Sequence, residues 1–282
     1  MTKLFSIGGF CFSLSYPEEL SPPKNFMLFE VSEGSPEYCY RILLTDKLPA
    51  PEGEVIARRE DIRIFRHGNL ENRLLGIKGY DGYYAYYEEL SDTEARIWLV
   101  PDYIVELNID PVFSSLLALE RRLSIKNALI LHCAYVKYKD EAILFSAPSE
   151  TGKTTQANLW EKHAGSKTVN GDRALLRCVD GKWCACGWPV CGTSDVCNNL
   201  TTPIRAIVML SQSTDNRAEA LPPAEAFRLL YSQITVNTWN RDFVQKNMDL
   251  IESLAGAVPV CHLSCNISED AVKCLHHIIY DN

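Results

Sequence analysis

The chain has 282 residues, of which 46% are hydrophobic and 23% charged, a balance typical of globular rather than disordered proteins. The 28 Lys and Arg residues against 36 Asp and Glu residues give a formal net charge of −8, which argues against a general nucleic-acid or anionic-membrane binder. The sequence shows no apolar run of membrane-spanning length and no secretory signal, so we expect a cytoplasmic protein whose cysteines are reduced.

The first part of the chain has the pattern of short strands, in which β-branched and aromatic residues alternate with turn formers. Strands are predicted at residues 38–43, 61–66, 73–77, 82–87 and 95–100. A helix is predicted to begin where Asp110 can cap the first exposed N–H groups and Pro111 occupies the first helical position, and to end near Asn127. We therefore expect a mostly β N-terminal domain over residues 1–105.

From residue 106 to residue 282, strands alternate with helices, which is typical of an α/β or α+β domain. Strands are predicted at 128–136, 142–146, 166–170, 174–179, 182–187, 204–210 and 258–263. Helices are predicted after the loop 147–154, at 223–231, at 241–256, and at the C-terminus with Ser268 as its cap. The dipeptide Asp180-Gly181 favours a two-residue hairpin turn, because both positions tolerate positive φ angles.

The segment from Ala147 to Thr154 has the form [AG]-x-x-x-x-G-K-[ST] of a Walker A phosphate-binding loop, between a predicted strand and a predicted helix. In such a loop, backbone N–H groups and the helix dipole attract phosphate oxygens, the lysine reaches the β- and γ-phosphates, and the hydroxyl ligates Mg²⁺. We expect ATP and Mg²⁺ as cofactors, with the metal near Thr154. The predicted nucleotide-binding residues are Ala147, Pro148, Ser149, Glu150, Thr151, Gly152, Lys153, Thr154 and Thr155.

A carboxylate is expected near such a metal, and Asp172 follows the next predicted strand, nineteen residues after Lys153. Asp172 could ligate Mg²⁺, directly or through water, or take the proton of an attacking hydroxyl. It could also be an ordinary capping residue in a turn. Arg173 could pair with Asp172 or stabilise the charge of the transferred phosphoryl group.

These motifs together resemble the HPr kinase/phosphorylase catalytic domain, a group similar in fold to PEP carboxykinase. The resemblance covers about residues 105–282 and is carried by 131–136, the phosphate loop, Asn170-Gly171-Asp172-Arg173, 187–194, 215–217 and 258–263. It implies a PEP carboxykinase-like phosphate-loop domain with a mixed sheet, and it places Mg²⁺ near Thr154 and Asp172. It also implies that His132 faces the phosphates, and that 192–194 lie on the acceptor side.

One departure from that family concerns Gly171, because HPr kinase carries two adjacent acidic residues where this chain has Gly171-Asp172. Either Asp172 is both metal ligand and base, or His132 shares the proton chemistry. The loss of one acid also weakens the expectation of a reverse phosphorolysis reaction.

The resulting hypothesis is an ATP-dependent kinase that transfers the γ-phosphoryl group to a hydroxyl, with Asp172, His132, Lys153 and Arg173 as catalytic residues. The acceptor would be a serine of a peptide or protein, or a small molecule, and the oligomeric state stays open. The alternative is a nucleotide-sensing binding module without transferase activity. Residues 233–240 are expected to border the cleft.

Overall fold

The computed structural model describes residues 1–79 and 81–281, which divide into two compact units. The first unit is Met1–Leu119 and the second begins at Glu120. The domain division after residue 105 stays a prediction. In the described ranges, no helix is both long and apolar enough to cross a membrane. All eleven cysteines of the chain carry free thiols.

The first unit is built on one nine-stranded sheet. Its strands are β1 (Thr2–Ile7), β2 (Phe10–Ser15), β3 (Glu30–Val31), β4 (Tyr38–Leu44), β5 (Glu54–Arg58), β6 (Ile62–His67), β7 (Leu70–Leu75), β8 (Ala85–Ser91) and β9 (Glu94–Leu99). They lie in the order β3-β1-β2-β4-β9-β8-β7-β6-β5, with parallel pairing of β4 to β2 and β9 and antiparallel pairing elsewhere. The strands β1, β2, β3 and β5 were absent from the sequence prediction.

Aromatic rings form part of the core of this unit. A short helix, α1 (Lys24–Met27), places Phe26 against Phe5, with ring centroids 4.9 Å apart. The ring of Phe113, on helix α2 (Asp110–Leu116), lies 4.8 Å from that of Phe26 in an edge-on arrangement. Such edge-to-face pairs add to the free energy gained by burying the rings.

The helix predicted from Asp110 to Asn127 is two helices, because Ala118 adopts a positive φ of 48°. Helix α2 ends at Leu116, and α3 (Leu119–Ile125) follows the break. The prediction that Asp110 caps the helix was wrong: Ile109 holds the N-cap position, and the Asp110 carboxylate accepts a hydrogen bond from Asn25 at 2.7 Å. Two single turns of 3-10 helix precede α2, at Pro101–Tyr103 and Val105–Asn108.

The second unit combines strands and helices in a mixed α/β arrangement. Its strands are β10 (Leu129–Tyr138), β11 (Glu141–Ser146), β12 (Lys167–Asn170), β13 (Arg173–Val179), β14 (Lys182–Cys186), β15 (Thr201–Gln212), β16 (Arg217–Ala220) and β17 (Val260–Cys265). Its longer helices are α4 (Lys153–Ala164), α5 (Pro223–Gln233), α6 (Arg241–Ala257) and α7 (Glu269–Tyr280). A 3-10 turn covers Gly192–Ser194.

Two long strands, β10 and β15, each pair with different neighbours along their length. The first half of β10 pairs with β13, whereas its second half pairs with β11 and β12. The start of β15 pairs with β14, and the remainder lies parallel to β11 and β17. The outer strand β16 pairs antiparallel with β17. The two long strands therefore join an antiparallel part with β13 and β14 to a mixed part with β11, β12, β16 and β17, within one eight-stranded sheet.

Alternate residues of the central strands pack into two cores, as the two-residue period of a strand requires. On one face, Leu144 of β11 lies in a buried cluster with Leu230 of α5 and Ile251 of α6. On the other face, Phe145 packs with Trp160 of α4 and Leu275 of α7. The sheet that carries β11 is thus covered by helices on both faces.

Most predicted elements of the second unit are confirmed, including the hairpin at Asp180-Gly181, whose φ angles are 49° and 78°. The exposed strand β16 was not predicted. Ser268 occupies the N-cap position of α7 as expected, but its hydroxyl donates to the Asn266 side chain at 2.5 Å.

We expect the substitution Leu144→Ala to lower the free energy of unfolding by about 2–5 kcal/mol, because it opens a cavity in a fully buried position. Urea denaturation followed by Trp fluorescence and circular dichroism measures the change. Leu200→Ala is the matched control, since Leu200 is 44% exposed and should lose little. Equal losses in both variants would contradict the packing described for β11.

Candidate active site

The phosphate-loop segment forms a tight turn between the end of β11 and the start of α4. Glu150 and Gly152 adopt positive φ angles of 65° and 114°. An added Cβ at Gly152 would meet no described atom within 4 Å, so the backbone conformation is what favours glycine there. The Glu150 side chain is exposed to solvent.

Within the loop, Ala147 is buried, Pro148 and Ser149 are exposed, and Thr151 and Gly152 are half-buried. Thr154 is exposed in the first turn of α4, and Thr155 is half-buried beside it. The loop is further contacted by Gln212 at the end of β15, whose amide nitrogen lies 3.4 Å from the carbonyl oxygen of Glu150.

Lys153 is buried and its ammonium group lies over its own loop. It donates to the carbonyl oxygens of Ala147 at 3.0 Å and Pro148 at 3.1 Å. Burial lowers the pKa of Lys153, whereas the negative charge of Asp172 opposes that shift. Among the described residues, the hydrogen-bond acceptors of this buried cation are neutral carbonyl oxygens, an arrangement that favours binding of an anion.

The turn after β12 is held by Asn170, a fully buried residue. Its side-chain oxygen accepts from the backbone N–H groups of Asp172 at 2.8 Å and Arg173 at 2.9 Å. Its amide nitrogen donates to the carbonyl oxygens of Trp188 at 2.8 Å and Val190 at 3.1 Å. The sequence motif includes Asn170, but the sequence did not predict that its side chain holds this turn.

Of the four residues predicted as catalytic, three lie close together: Asp172, Arg173 and His132. Arg173 Nε donates to Asp172 Oδ2 at 2.9 Å, and His132 Nε2 lies 3.7 Å from Asp172 Oδ1. The backbone also ties the turn to β10, because Cys133 N–H donates to the Asp172 carbonyl oxygen at 3.0 Å. Next to this group, the Ser146 hydroxyl at the end of β11 donates to the His132 carbonyl oxygen at 2.8 Å.

The segment after α5 approaches the same group of side chains. Ile234 pairs with Leu131, and Thr235 N–H donates to the Ile130 carbonyl oxygen at 2.9 Å. The Thr235 hydroxyl oxygen lies 3.3 Å from Arg173 Nη1 and accepts its hydrogen bond. Gln233 forms a side-chain hydrogen bond with His132. Gln233 and Thr235, from the segment expected to border the cleft, therefore contact His132 and Arg173.

The imidazole of His132 is biased toward its neutral form. Burial lowers its pKa most, and the positive charges of Lys153 and Arg173 lower it further. The Asp172 carboxylate and the hydrogen bond with Gln233 raise the pKa but do not outweigh the other effects. A neutral histidine beside a carboxylate has a free ring nitrogen that can accept a proton.

Gly171 has no room for a side chain, because the turn Gly192–Ser194 packs against it. A Cβ on Gly171 would lie 2.1 Å from the Ser194 hydroxyl oxygen and 2.3 Å from Ser194 Cβ. Ser194 is itself held by its hydrogen bond to the Cys191 carbonyl oxygen at 2.7 Å. A Cβ on Gly192 would lie 3.3 Å from the Asp172 carboxyl group. The close approach of Ser194 therefore accounts for a glycine at position 171.

The donors that the sequence predicts for Mg²⁺ are the Thr154 hydroxyl and the Asp172 carboxylate. Nowhere in the described ranges do three or more His, Cys, Asp or Glu side chains group in a way that could hold a metal ion. A hydroxyl and one carboxylate fit Mg²⁺ nonetheless, because this ion usually takes its other ligands from substrate phosphates and water.

The arrangement defines a mixed α/β protein with a lysine-bearing loop at a strand-to-helix turn. Residues 102–270 match the family described as "SynChlorMet cassette protein ScmC". This match spans more than half of the chain, which therefore belongs to that family.

No curated protein matches the chain. Among solved structures, the Hpr(Ser) kinase/phosphatase from Coxiella burnetii is distantly similar, with 10% sequence identity and a TM-score of 0.31. That match covers 53% of this chain and 90% of the other.

We expect the His132 pKa to fall further in Asp172→Asn, because the carboxylate raises it, and to rise in Lys153→Gln, because the ammonium group lowers it. Proton NMR titration of the imidazole C–H signal, assigned with His132→Gln and recorded without Mg²⁺ or nucleotide, measures both shifts. The control Lys162→Ala removes a positive charge from the last turn of α4 and should leave the titration unchanged. Shifts of the opposite sign would contradict the electrostatic description.

We expect Gly171→Ala to destabilise the second unit by about 1–3 kcal/mol, because its Cβ would overlap Ser194. Thermal unfolding measures the loss. Gly256→Ala is the matched control, since a Cβ there meets no described atom within 4 Å and lies in a helix, where alanine is favoured. The double variant Gly171→Ala/Ser194→Gly should recover much of the loss; no recovery would place the strain elsewhere.

Proposed function

We propose that this protein is an ATP-dependent kinase that transfers the γ-phosphoryl group to a hydroxyl, with serine in a peptide or protein as the acceptor. In this proposal the second unit is a PEP carboxykinase-like phosphate-loop domain and the protein acts in the cytoplasm. The observation that carries the proposal is the grouping of Asp172, His132 and Arg173 next to a loop whose buried lysine donates to two backbone carbonyl oxygens.

Binding of the triphosphate would use the loop and the first turn of α4. Backbone N–H groups at the start of a helix attract phosphate oxygens, and the segment Ala147–Thr155 supplies them. Lys153 would exchange its two carbonyl acceptors for the β- and γ-phosphate oxygens. Since phosphate oxygens carry negative charge and carbonyl oxygens do not, this exchange adds ionic attraction and favours the nucleotide complex.

Mg²⁺ would be held by Thr154 and Asp172, and when bound it supplies positive charge that offsets the charge of the β- and γ-phosphates. The remaining chemistry belongs to the chain. Asp172 is held in position by Asn170 and Arg173, and its carboxylate would accept the proton of the attacking hydroxyl. His132, 3.7 Å away and biased toward its neutral form, can receive that proton in turn.

The acceptor oxygen forms a bond to the γ-phosphorus, the bond between that phosphorus and the β–γ bridging oxygen breaks, and ADP leaves with the electron pair. The acceptor proton passes to Asp172. Arg173 would stabilise the negative charge on the transferred group, and its own orientation comes from Asp172 and Thr235. The products are ADP and a phosphomonoester.

We expect Lys153→Ala and Asp172→Asn each to lower phosphoryl transfer by about 10²–10⁴-fold, because one removes charge stabilisation and the other the proton acceptor. The measurement uses γ-³²P-labelled ATP with Mg²⁺ and, as acceptors, a lysate, serine-containing peptides and free serine.

Lys162→Ala and Asp249→Asn are the matched controls, since each makes the same chemical change at the far end of α4 or at an exposed position of α6. The proposal is wrong if the unaltered protein binds ATP and no labelled product forms with any acceptor. It is also wrong if the control variants lose as much transfer as the site variants.

A further inference from the structure

The turn between β17 and α7 presents one strongly exposed apolar side chain. Ile267 is 79% exposed and stands between Asn266 and Ser268. A single exposed apolar residue is ordinary on a protein surface. The exposed side chain of Ile267 is of interest because the residues next to it are held by hydrogen bonds and lie beside the phosphate loop.

Hydrogen bonds hold the turn through the backbone N–H and carbonyl groups of Asn266 and through the oxygen and nitrogen of its side-chain amide. Its N–H donates to Asn216 Oδ1 at 3.0 Å, and its carbonyl oxygen accepts from Gln156 Nε2 at 3.2 Å. Its side-chain oxygen accepts from Asn216 and Ser268, and its amide nitrogen donates to the Thr214 carbonyl oxygen at 2.7 Å. The backbone that carries Ile267 is therefore preorganised.

Two glutamines approach the phosphate loop from different directions: Gln156, which bonds Asn266, and Gln212. Gln156 lies in the first turn of α4, directly after the loop. Gln212, at the end of β15, lies 3.4–3.5 Å from the carbonyl oxygens of Glu150 and Thr151. Since β11, β15 and β17 are parallel neighbours, the segments that follow them lie at one edge of the sheet, where ligands of α/β proteins usually bind.

The direction of a bound nucleotide follows from the order of the strands. Asp172 and His132 lie on the β10 side of the phosphate loop, because β10 pairs with the edge of β11 opposite to β15. When the terminal phosphoryl group of a bound triphosphate reaches Asp172, the α-phosphate must lie on the opposite side of the loop, away from β10. That direction leads to the ends of β15 and β17.

We infer that the turn at Ile267, together with Gln212, forms the subsite for the nucleoside half of the nucleotide. The inference rests on the proposed function. A purine base packs its apolar face on Ile267, and the Gln212 side chain borders its polar edge. The rigid turn lowers the entropic cost of this contact, because the side chain is already presented to the ligand.

Isothermal titration calorimetry with Mg²⁺ tests the inference by comparing ATP with inorganic triphosphate, which has the phosphates without the nucleoside. The unaltered protein should bind ATP more tightly than triphosphate. Ile267→Ala should weaken ATP binding about five- to tenfold, in line with the loss of part of one apolar contact, and should leave triphosphate binding unchanged. Met248→Ala, at an apolar residue 37% exposed on α6, is the control and should change neither affinity.

Three results would overturn the inference while leaving the phosphate loop intact. The unaltered protein could bind triphosphate as tightly as ATP, Ile267→Ala could have no more effect than Met248→Ala, or it could weaken both ligands equally. Failure of the unaltered protein to bind either ligand is a separate outcome, because it refutes the proposed function and the subsite with it.

Discussion

The side chain of Asn170 holds the arrangement on which the candidate site depends. One carboxamide receives two backbone N–H groups of the turn that carries Asp172 and Arg173, and it donates to two carbonyl oxygens of the segment 188–190. The residue is fully buried, so each of these bonds lies in a low-dielectric environment where loss of a partner is costly. The position of the Asp172 carboxylate is thus determined by a residue that need not touch any ligand.

Strand β10 gives the same region its second support. Its middle residues lie where the strand changes partners from β13 to β11, and His132 and Cys133 stand at that change. Cys133 bonds the backbone of Asp172, the carbonyl group of His132 accepts from Ser146, and Ile130 accepts from Thr235. One strand therefore aligns the end of β11, the turn after β12 and the segment after α5. These elements are far apart in sequence.

Local patterns predicted much of the second unit. The hairpin at Asp180-Gly181 and the loop before α4 depend on nearest neighbours and on glycine, and both are confirmed as structures. The roles of Asn170, Ser194 and Thr235 could not be predicted, because each depends on contacts between distant segments. The prediction that Asp110 caps its helix was wrong for the same reason. Its carboxylate accepts a hydrogen bond from Asn25, which lies 85 positions earlier in the chain. The strand β16 is short, polar and exposed, so it carries no hydrophobic period to detect.

The contacts of Lys153 affect how the loop would bind a ligand. The ammonium group donates to two carbonyl oxygens of its own loop. Its positive charge offsets the repulsion between these two carbonyl dipoles. In the proposed kinase, these contacts would order the loop before the nucleotide binds, so that little backbone ordering would remain on binding. Nucleotide binding would then require the Lys153 nitrogen to exchange carbonyl oxygens for phosphate oxygens, a small movement compared with the folding of a loop.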